Sequence, residues 1–206
     1  MKKGLFISFE GMDGSGKSTQ IQRLKEYLEK KGCRVILTRE PGGTPIGEKI
    51  RDIILDRENR EMRCMTEALL YAASRAQHVE QVIKPALEEG KVVICDRFVD
   101  SSIAYQGYGR SMGNAVEEIN RYAVAGCMPD VTFLMRVPPE TGSGRIEGRE
   151  KDRIEMESDA FHTEVYRGYE ALAERWPQRI VSVDASGSVD DIEKTIRGYM
   201  KGILDI

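Results

Sequence analysis

The first eighteen residues narrow the fold more than any other part of this chain. An apolar run, Leu5–Phe9, leads through Glu10 into Gly11-Met12-Asp13-Gly14-Ser15-Gly16-Lys17-Ser18, and a helical stretch follows. This is the complete GxxxxGK[ST] pattern in its required setting, after a strand and opening a helix. The glycines let the backbone curl so that successive N–H groups face one point. The first turn of the helix adds unpaired donors and the positive end of its dipole. Phosphate oxygens fit such a cradle. Lys17 is placed to reach the β- and γ-phosphates of a nucleoside triphosphate, and the Ser18 hydroxyl to ligate Mg²⁺. Gly11, Met12, Asp13, Gly14, Ser15, Gly16, Lys17, Ser18 and Thr19 are therefore the candidate ATP-binding residues.

The rest of the chain continues the alternation. Strands are expected at Leu5–Glu10, Arg34–Thr38, Val92–Asp96, Val131–Val137 and Ile180–Asp184, each with a nearly continuous apolar centre. That composition suits parallel strands buried on both faces. Helical stretches are expected at Lys17–Lys31, Thr66–Glu89, Ala115–Ala125, Glu157–Arg175 and Val189–Ile203. Ser188 and Asp191 form a capping box for the last, and Gly32 and Gly90 fall where helix C-caps are wanted. The order predicts an α/β protein of three layers, a five-stranded parallel sheet with helices on both faces. Its ligands belong at the carboxyl ends of the strands. At 206 residues the chain is sized for one domain, 1–206.

Charge and composition exclude several classes. A net charge of −3 gives no overall attraction to nucleic acid polymers or anionic membranes, so an anion site has to be a local cluster of Arg and Lys. Leu5–Phe9 is too short for a secretory leader, and no later run approaches a membrane span. Cys33, Cys64, Cys95 and Cys127 are scattered with no CxxC pair, which argues against disulfides or zinc. The expected compartment is the cytoplasm.

A phosphate loop does not by itself separate kinases, ATPases and GTPases. The guanine-reading NKxD motif is absent, and a DxxG match at Asp184–Gly187 comes too late in the chain for a switch loop. The third strand ends in Asp96-Arg97-Phe98. A carboxylate there is placed to hold Mg²⁺ or its waters, with capping of the next segment as the plainer alternative. The second strand ends in the turn-rich Thr38-Arg39-Glu40-Pro41-Gly42-Gly43-Thr44, which leads into Ile46–Leu55 with Arg51. Tyr71 and Arg75 stand four apart on one helix face. The pair could stack a base and bond its edge, or merely pack.

The segments FEGMDGSGKST, TREPGGTPIGEKIR, TEALLYAASRAQH, VVICDRFVDSSIAYQGYGR and DRIE resemble bacterial thymidylate kinases, and the resemblance covers essentially the whole chain. It implies the P-loop kinase fold with a short lid, and transfer of the terminal phosphoryl group of ATP to dTMP with Mg²⁺, a step toward dTTP. It also implies a homodimer formed by helix packing. Carried over by position, it puts Arg51 and Arg97 on the acceptor phosphate and stacks Tyr71 on thymine. Arg75 then donates to thymine O4, with Ser102 and Gln106 on the base edge, and Tyr105 fills the space of a ribose 2′-hydroxyl. Asp13 meets the 3′-hydroxyl side of the sugar, and Glu40 organises water or metal near the phosphates. Ser18 and Asp96 are the metal-facing residues.

The glycine-bearing, charged stretch 141–155 corresponds to the lid of that family. No Arg occupies positions 12–15 of the phosphate loop, whereas Arg145, Arg149 and Arg153 recur every fourth residue in the lid. The chain thus resembles members whose catalytic Arg sits in the lid, with Arg149 and Arg153 favoured as cations on the transferring group. Lys17 and Arg97 complete the predicted catalytic set. Arg136, in LMRV, departs from the family pattern and has no role read from sequence. Two other readings stay open at this level: a kinase for another nucleoside monophosphate, and an ATP-binding switch without turnover.

Overall fold

The computed structural model describes residues 4–138 and 150–204. Five strands form one sheet: β1 (Leu5–Glu10), β2 (Val35–Arg39), β3 (Val92–Asp96), β4 (Val131–Arg136) and β5 (Ile180–Asp184), in the order β2-β3-β1-β4-β5. Every pairing is parallel, with Phe6 opposite Val93 and Phe9 opposite both Asp96 and Phe133. The three central strands are buried on both faces, as their apolar runs predict. β2 and β5 are edges and are more open: no residue of β2 is fully buried, and β5 buries only Ile180 and Val183.

Side chains of opposite strand faces feed two cores. Ile7, Phe9, Ile94, Phe133 and Val183 pack under α1 (Lys17–Lys30) and the C-terminal helix, which contribute Leu24, Leu28, Ile196 and Met200. Phe6, Val93, Cys95, Leu134 and Ile180 face the other way and meet the remaining helices. These are α2 (Pro45–Leu55), α3 (Cys64–His78), α4 (Lys84–Glu88), α5 (Val99–Ser102), α6 (Asn114–Ala123) and α7 (Asp159–Arg175). The C-terminal helix, α8, spans Val189–Leu204 and starts at the Ser188–Asp191 box, where Asp191 N donates to Ser188 Oγ at 3.2 Å.

Two departures from the sequence reading have local causes. The expected helix Thr66–Glu89 is interrupted by a wide π-turn, Val79–Ile83, between α3 and α4. Pro85 lies just beyond it; its ring lacks an N–H and would crowd the carbonyl four residues back, and a wider turn accommodates both. The second departure is helix where no helix was expected. α2 starts at Thr44, whose side chain accepts from Gly47 N, with Pro45 at the first helical position. After α5 a second π-helical stretch runs Ile103–Gly109 through the glycine-rich YQGYG. It packs so closely on α7 that a Cβ at Gly109 would sit 2.6 Å from the Phe161 ring, and one at Gly168 2.9 Å from Tyr108.

No helix among the described residues is long and apolar enough to cross a membrane. The strand order reverses direction around β1: the chain leaves β1 for the β2 edge, returns to β3, then crosses to β4 on the far side. A crevice opens at the carboxyl ends of strands where such a reversal occurs.

Candidate active site

The crevice is a cleft of about 800 Å³. One wall is the phosphate loop, Asp13 to Thr19; the other carries Glu40, Arg51, Tyr71, Arg75, Ser102, Tyr105 and Gln106. Asp96 and Arg97, at the end of β3, also line it. Gly11 and Met12 do not line the cleft; their carbonyls each accept a hydrogen bond from Lys17 Nζ at 3.0 Å. Gly11, Gly14 and Gly16 all have positive φ, the conformation the curled loop demands. Burial, followed by the nearby Arg97 charge, lowers the Lys17 ammonium to about 8.

Asp96 Oδ1 is buried with no hydrogen-bond donor, while Ser18 is exposed on the opposing loop. Among the described residues no group of three or more His, Cys, Asp or Glu could hold a metal by itself. Mg²⁺ fits this donor set, because it keeps several waters and takes one carboxylate together with substrate phosphates. Ser18 and Asp96 are the residues that would face it.

Arg97 occupies the left-handed region, φ +67°, with its backbone N–H donating to Phe9 O at 2.9 Å. Its guanidinium spans the cleft floor, donating to Asp13 Oδ1 at 2.8 Å, Tyr169 OH at 3.1 Å and Ser101 Oγ at 3.2 Å. Behind it lies Glu10, fully buried, which accepts from Phe98 N at 2.7 Å, Ser101 Oγ at 2.5 Å and Tyr169 OH at 3.2 Å. Burial, then the Asp100 charge, pushes the Glu10 carboxyl up to about 7. This web over-determines the uncommon backbone of Arg97, a combination found at sites that need a cation held in place.

The acceptor wall is a buried polar network. Arg75 is 1 % exposed and spends four of its five N–H groups on protein: Nε on Glu40 at 2.7 Å, Nη1 on Ser102 at 3.0 Å and on Asn120, and Nη2 on Phe98 O at 3.0 Å. Glu40 is held on its other oxygen by His78 Nδ1 at 2.9 Å, and His78 Nε2 lies 2.6 Å from Thr38 Oγ1. Both Glu40 oxygens are thus engaged on the base side, with Arg75 and His78, and the reading of Glu40 as an organiser of water or metal at the phosphates finds no counterpart in these contacts. Gln106 Nε2 donates to Glu67 at 2.9 Å, and its Oε1 is buried without a partner. The Tyr105 hydroxyl is likewise buried and unpartnered, its ring 5.2 Å from the Arg97 guanidinium carbon. Arg51 reaches Pro41 O at 3.1 Å and lines the cleft.

The family model described as thymidylate kinase matches residues 9–196. The chain belongs to the thymidylate kinase family. A thymidylate kinase of Pelotomaculum thermopropionicum is 55 % identical over 206 residues, 98 % of this chain and 95 % of that one. One of Exiguobacterium sp. is 50 % identical over 198 residues, 95 % of this chain and 93 % of that one. The crystal structure of thymidylate kinase from Ehrlichia chaffeensis has a TM-score of 0.78 at 31 % identity, over 97 % of this chain and 99 % of that one. The five-stranded parallel sheet is therefore that of a P-loop kinase fold.

For the lid of this thymidylate kinase family member, only the C-terminal part is described. Arg145 and Arg149 lie outside the described residues. Arg153 lies within them and does not line the cleft. Its Nη2 donates to Glu67 Oε2 at 2.7 Å, its Nε to Ile54 O at 2.8 Å, and its backbone N–H to Leu55 O at 3.2 Å. It therefore ties the C-terminal end of the lid stretch to α2 and α3. Arg136 pairs with Glu170 at the surface.

Sequence reasoning missed Glu10, Glu67, His78, Asn120 and Tyr169. Two left a trace. Glu10 is a carboxylate ending a buried strand next to the phosphate loop. Glu67 precedes Tyr71 and Arg75 by four and eight residues, so it shares their helix face. His78, Asn120 and Tyr169 left none, because their partners lie 38, 45 and 72 positions away.

Proposed function

We propose that this chain is a nucleoside monophosphate kinase that transfers the γ-phosphoryl group of ATP to dTMP, giving ADP and dTDP. The observation that carries the reading is the pairing of two features in one cleft: a phosphate cradle, and a polar edge with one unspent donor and one unmatched acceptor. The donor is the fifth N–H of Arg75; the acceptor is Gln106 Oε1. Thymine offers O4 and N3–H, the complement of that edge. Cytosine offers an amino group and a bare ring nitrogen, which sets donor against donor and acceptor against acceptor.

The acceptor phosphate monoester is already largely ionised at neutral pH, since its second pKa is about 6. No strong general base is required. The chemical difficulty is bringing two polyanions together and neutralising the charge that spreads over the transferring group. Lys17 binds the triphosphate, Arg97 and Arg51 hold the acceptor phosphate, and Tyr71 stacks on the base. Tyr105 excludes a 2′-hydroxyl, and Asp13, already hydrogen-bonded to Arg97, meets the sugar. Mg²⁺, faced by Ser18 and Asp96, supplies charge neutralisation of the phosphate oxygens when bound. Arg149 is the lid cation proposed for the transferring group. Positioning and electrostatic stabilisation of an in-line transfer are the whole contribution of the protein.

The proposal extends to a single domain over 1–206, a cytoplasmic location and a homodimer. Ile46 and Ile53 of α2, Met65 and Leu69 of α3, and Tyr122 of α6 are exposed apolar side chains on helices that pack as neighbours, which supports association through this layer. Neither a nucleic acid polymer nor a membrane is among its proposed partners. The test is ADP release measured with dTMP, dUMP and dCMP. The expected order of kcat/KM is dTMP first, dUMP lower by roughly 10- to 200-fold for the missing methyl, and dCMP by about 10⁴-fold. Wild-type activity on dCMP close to that on dTMP overturns the reading.

A further inference from the structure

Half of the base edge is a terminal amide, and an amide is ambiguous. Turning the Gln106 carboxamide by 180° exchanges acceptor for donor with almost no change of shape. In one orientation the edge matches thymine; in the other it offers two donors and loses the match. The residue that removes the ambiguity is on α3. Glu67 is 1 % exposed, and its Oε1 accepts from Gln106 Nε2 at 2.9 Å and Arg110 Nε at 3.2 Å. Its Oε2 accepts from Arg110 Nη2 at 3.1 Å and Arg153 Nη2 at 2.7 Å.

Burial alone would raise the Glu67 carboxyl, but hydrogen bonds from Arg110 and Gln106, the Arg110 charge and the bond from Arg153 outweigh it and hold it below its usual value. The ionised carboxylate accepts and never donates. Gln106 therefore meets it with its NH₂ group, and its Oε1 is left buried in the cleft without a partner. The alternative orientation would set the Gln106 carbonyl against a carboxylate oxygen in a buried site, where two acceptors facing each other with no proton between them are costly.

We propose that Glu67 is a positioning residue for acceptor-base specificity: by accepting from the Gln106 amide it forces the Gln106 carbonyl into the cleft, where it takes the N3–H of a thymine-type base. Glu67 itself touches no substrate. The proposal rests on the dTMP reading above and adds what fixes its polar edge. It also accounts for the two arginines at Glu67, which keep the carboxylate ionised so that it can act as a pure acceptor.

The experiment compares kcat/KM for dTMP, dUMP and dCMP in wild type, Glu67→Gln and Glu67→Asp. In Glu67→Gln the new carboxamide oxygen turns to Arg110 and Arg153, its NH₂ faces Gln106, and Gln106 reverses. The dTMP-to-dCMP ratio is expected to fall roughly 10- to 100-fold, the scale of one buried hydrogen bond reversed. The dTMP-to-dUMP ratio stays as in wild type, because the two bases share the same O4 and N3–H edge. Glu67→Asp perturbs packing at least as much but remains a pure acceptor, and keeps the dTMP-to-dCMP ratio. If Glu67→Gln does not fold, Glu67→Gln/Arg153→Met restores the local charge balance and is read in the same way; Arg110 keeps its second partner, Glu157, at 2.6 Å. An unchanged dTMP-to-dCMP ratio in a folded Gln variant overturns the proposal. So does an equal loss in Glu67→Asp, which would make packing the cause. A wild type that does not prefer dTMP to dCMP would instead overturn the function reading itself.

Discussion

The two walls of the cleft are built on opposite principles. The phosphate wall is one continuous stretch, Asp13 to Thr19, whose donors are largely backbone N–H groups and whose one buried cation rests on two carbonyls of its own loop. The acceptor wall is assembled from the end of β2, from α2 and α3, and from the stretch after β3, and its side chains are held by one another. On the first wall, binding chemistry is separable from stability. On the second they are the same interactions, because removing a substrate contact also leaves a buried charge without its partner.

Arg75→Met is expected to give the largest effect. It leaves the Glu40 carboxylate buried beside His78 alone, and destabilises by about 3–5 kcal/mol while narrowing the gap between dTMP and dCMP. Chemical denaturation and acceptor profiling read both consequences. A variant as stable as wild type would remove the contrast between the walls. Lys17→Ala is the counterpart. Its kcat is expected to drop about 10²- to 10³-fold, the scale of losing one preorganised charge stabiliser. Its thermal midpoint is expected to hold. Burial lowers the Lys17 ammonium from 10.5 to about 8, so the charged form opposes folding below about pH 8, and that penalty disappears as pH rises towards 10.5. A large fall in midpoint would show that the phosphate wall is also structural.

The same shift predicts a pH dependence. Bound phosphates favour the ammonium form, so the pKa of Lys17 rises on ATP binding and ATP binding takes up a proton above about pH 8. The ATP Kd is then flat below about pH 8 and weakens by up to about tenfold per pH unit above it. Calorimetry in buffers of different ionisation enthalpy detects the uptake, and a slope that persists in Lys17→Ala would assign it to another group. Arg153→Ala is expected to have the smallest catalytic effect. Its guanidinium is committed to Glu67 and Ile54 O, so kcat stays within about tenfold of wild type while the acceptor KM rises. Arg149→Ala is expected to do the reverse, lowering kcat more than it weakens acceptor binding. A kcat loss in Arg153→Ala matching that of Lys17→Ala would return Arg153 to the phosphoryl group.

Most of the sheet was legible because buried parallel strands leave an unbroken apolar run. β1, β3 and β5 begin and end where the sequence reading put them, and β2 and β4 differ by one residue. The helical stretch Ile103–Gly109 was not, because YQGYG has poor helix propensity and is held by packing on Phe161 and Val165 of α7. The glycines of the phosphate loop and the lysine at its end announce their chemistry in consecutive positions, since a backbone cradle is a local structure. The orientation of the Gln106 amide, the commitment of Arg75 to four acceptors and the pairing of Arg153 with Glu67 are settled by partners far along the chain. A buried hydrogen bond is decided by where two elements dock, and docking is a property of the folded whole: the sequence determined which polar side chains were available, and tertiary structure alone decided which of their hydrogen bonds were left open to the cleft.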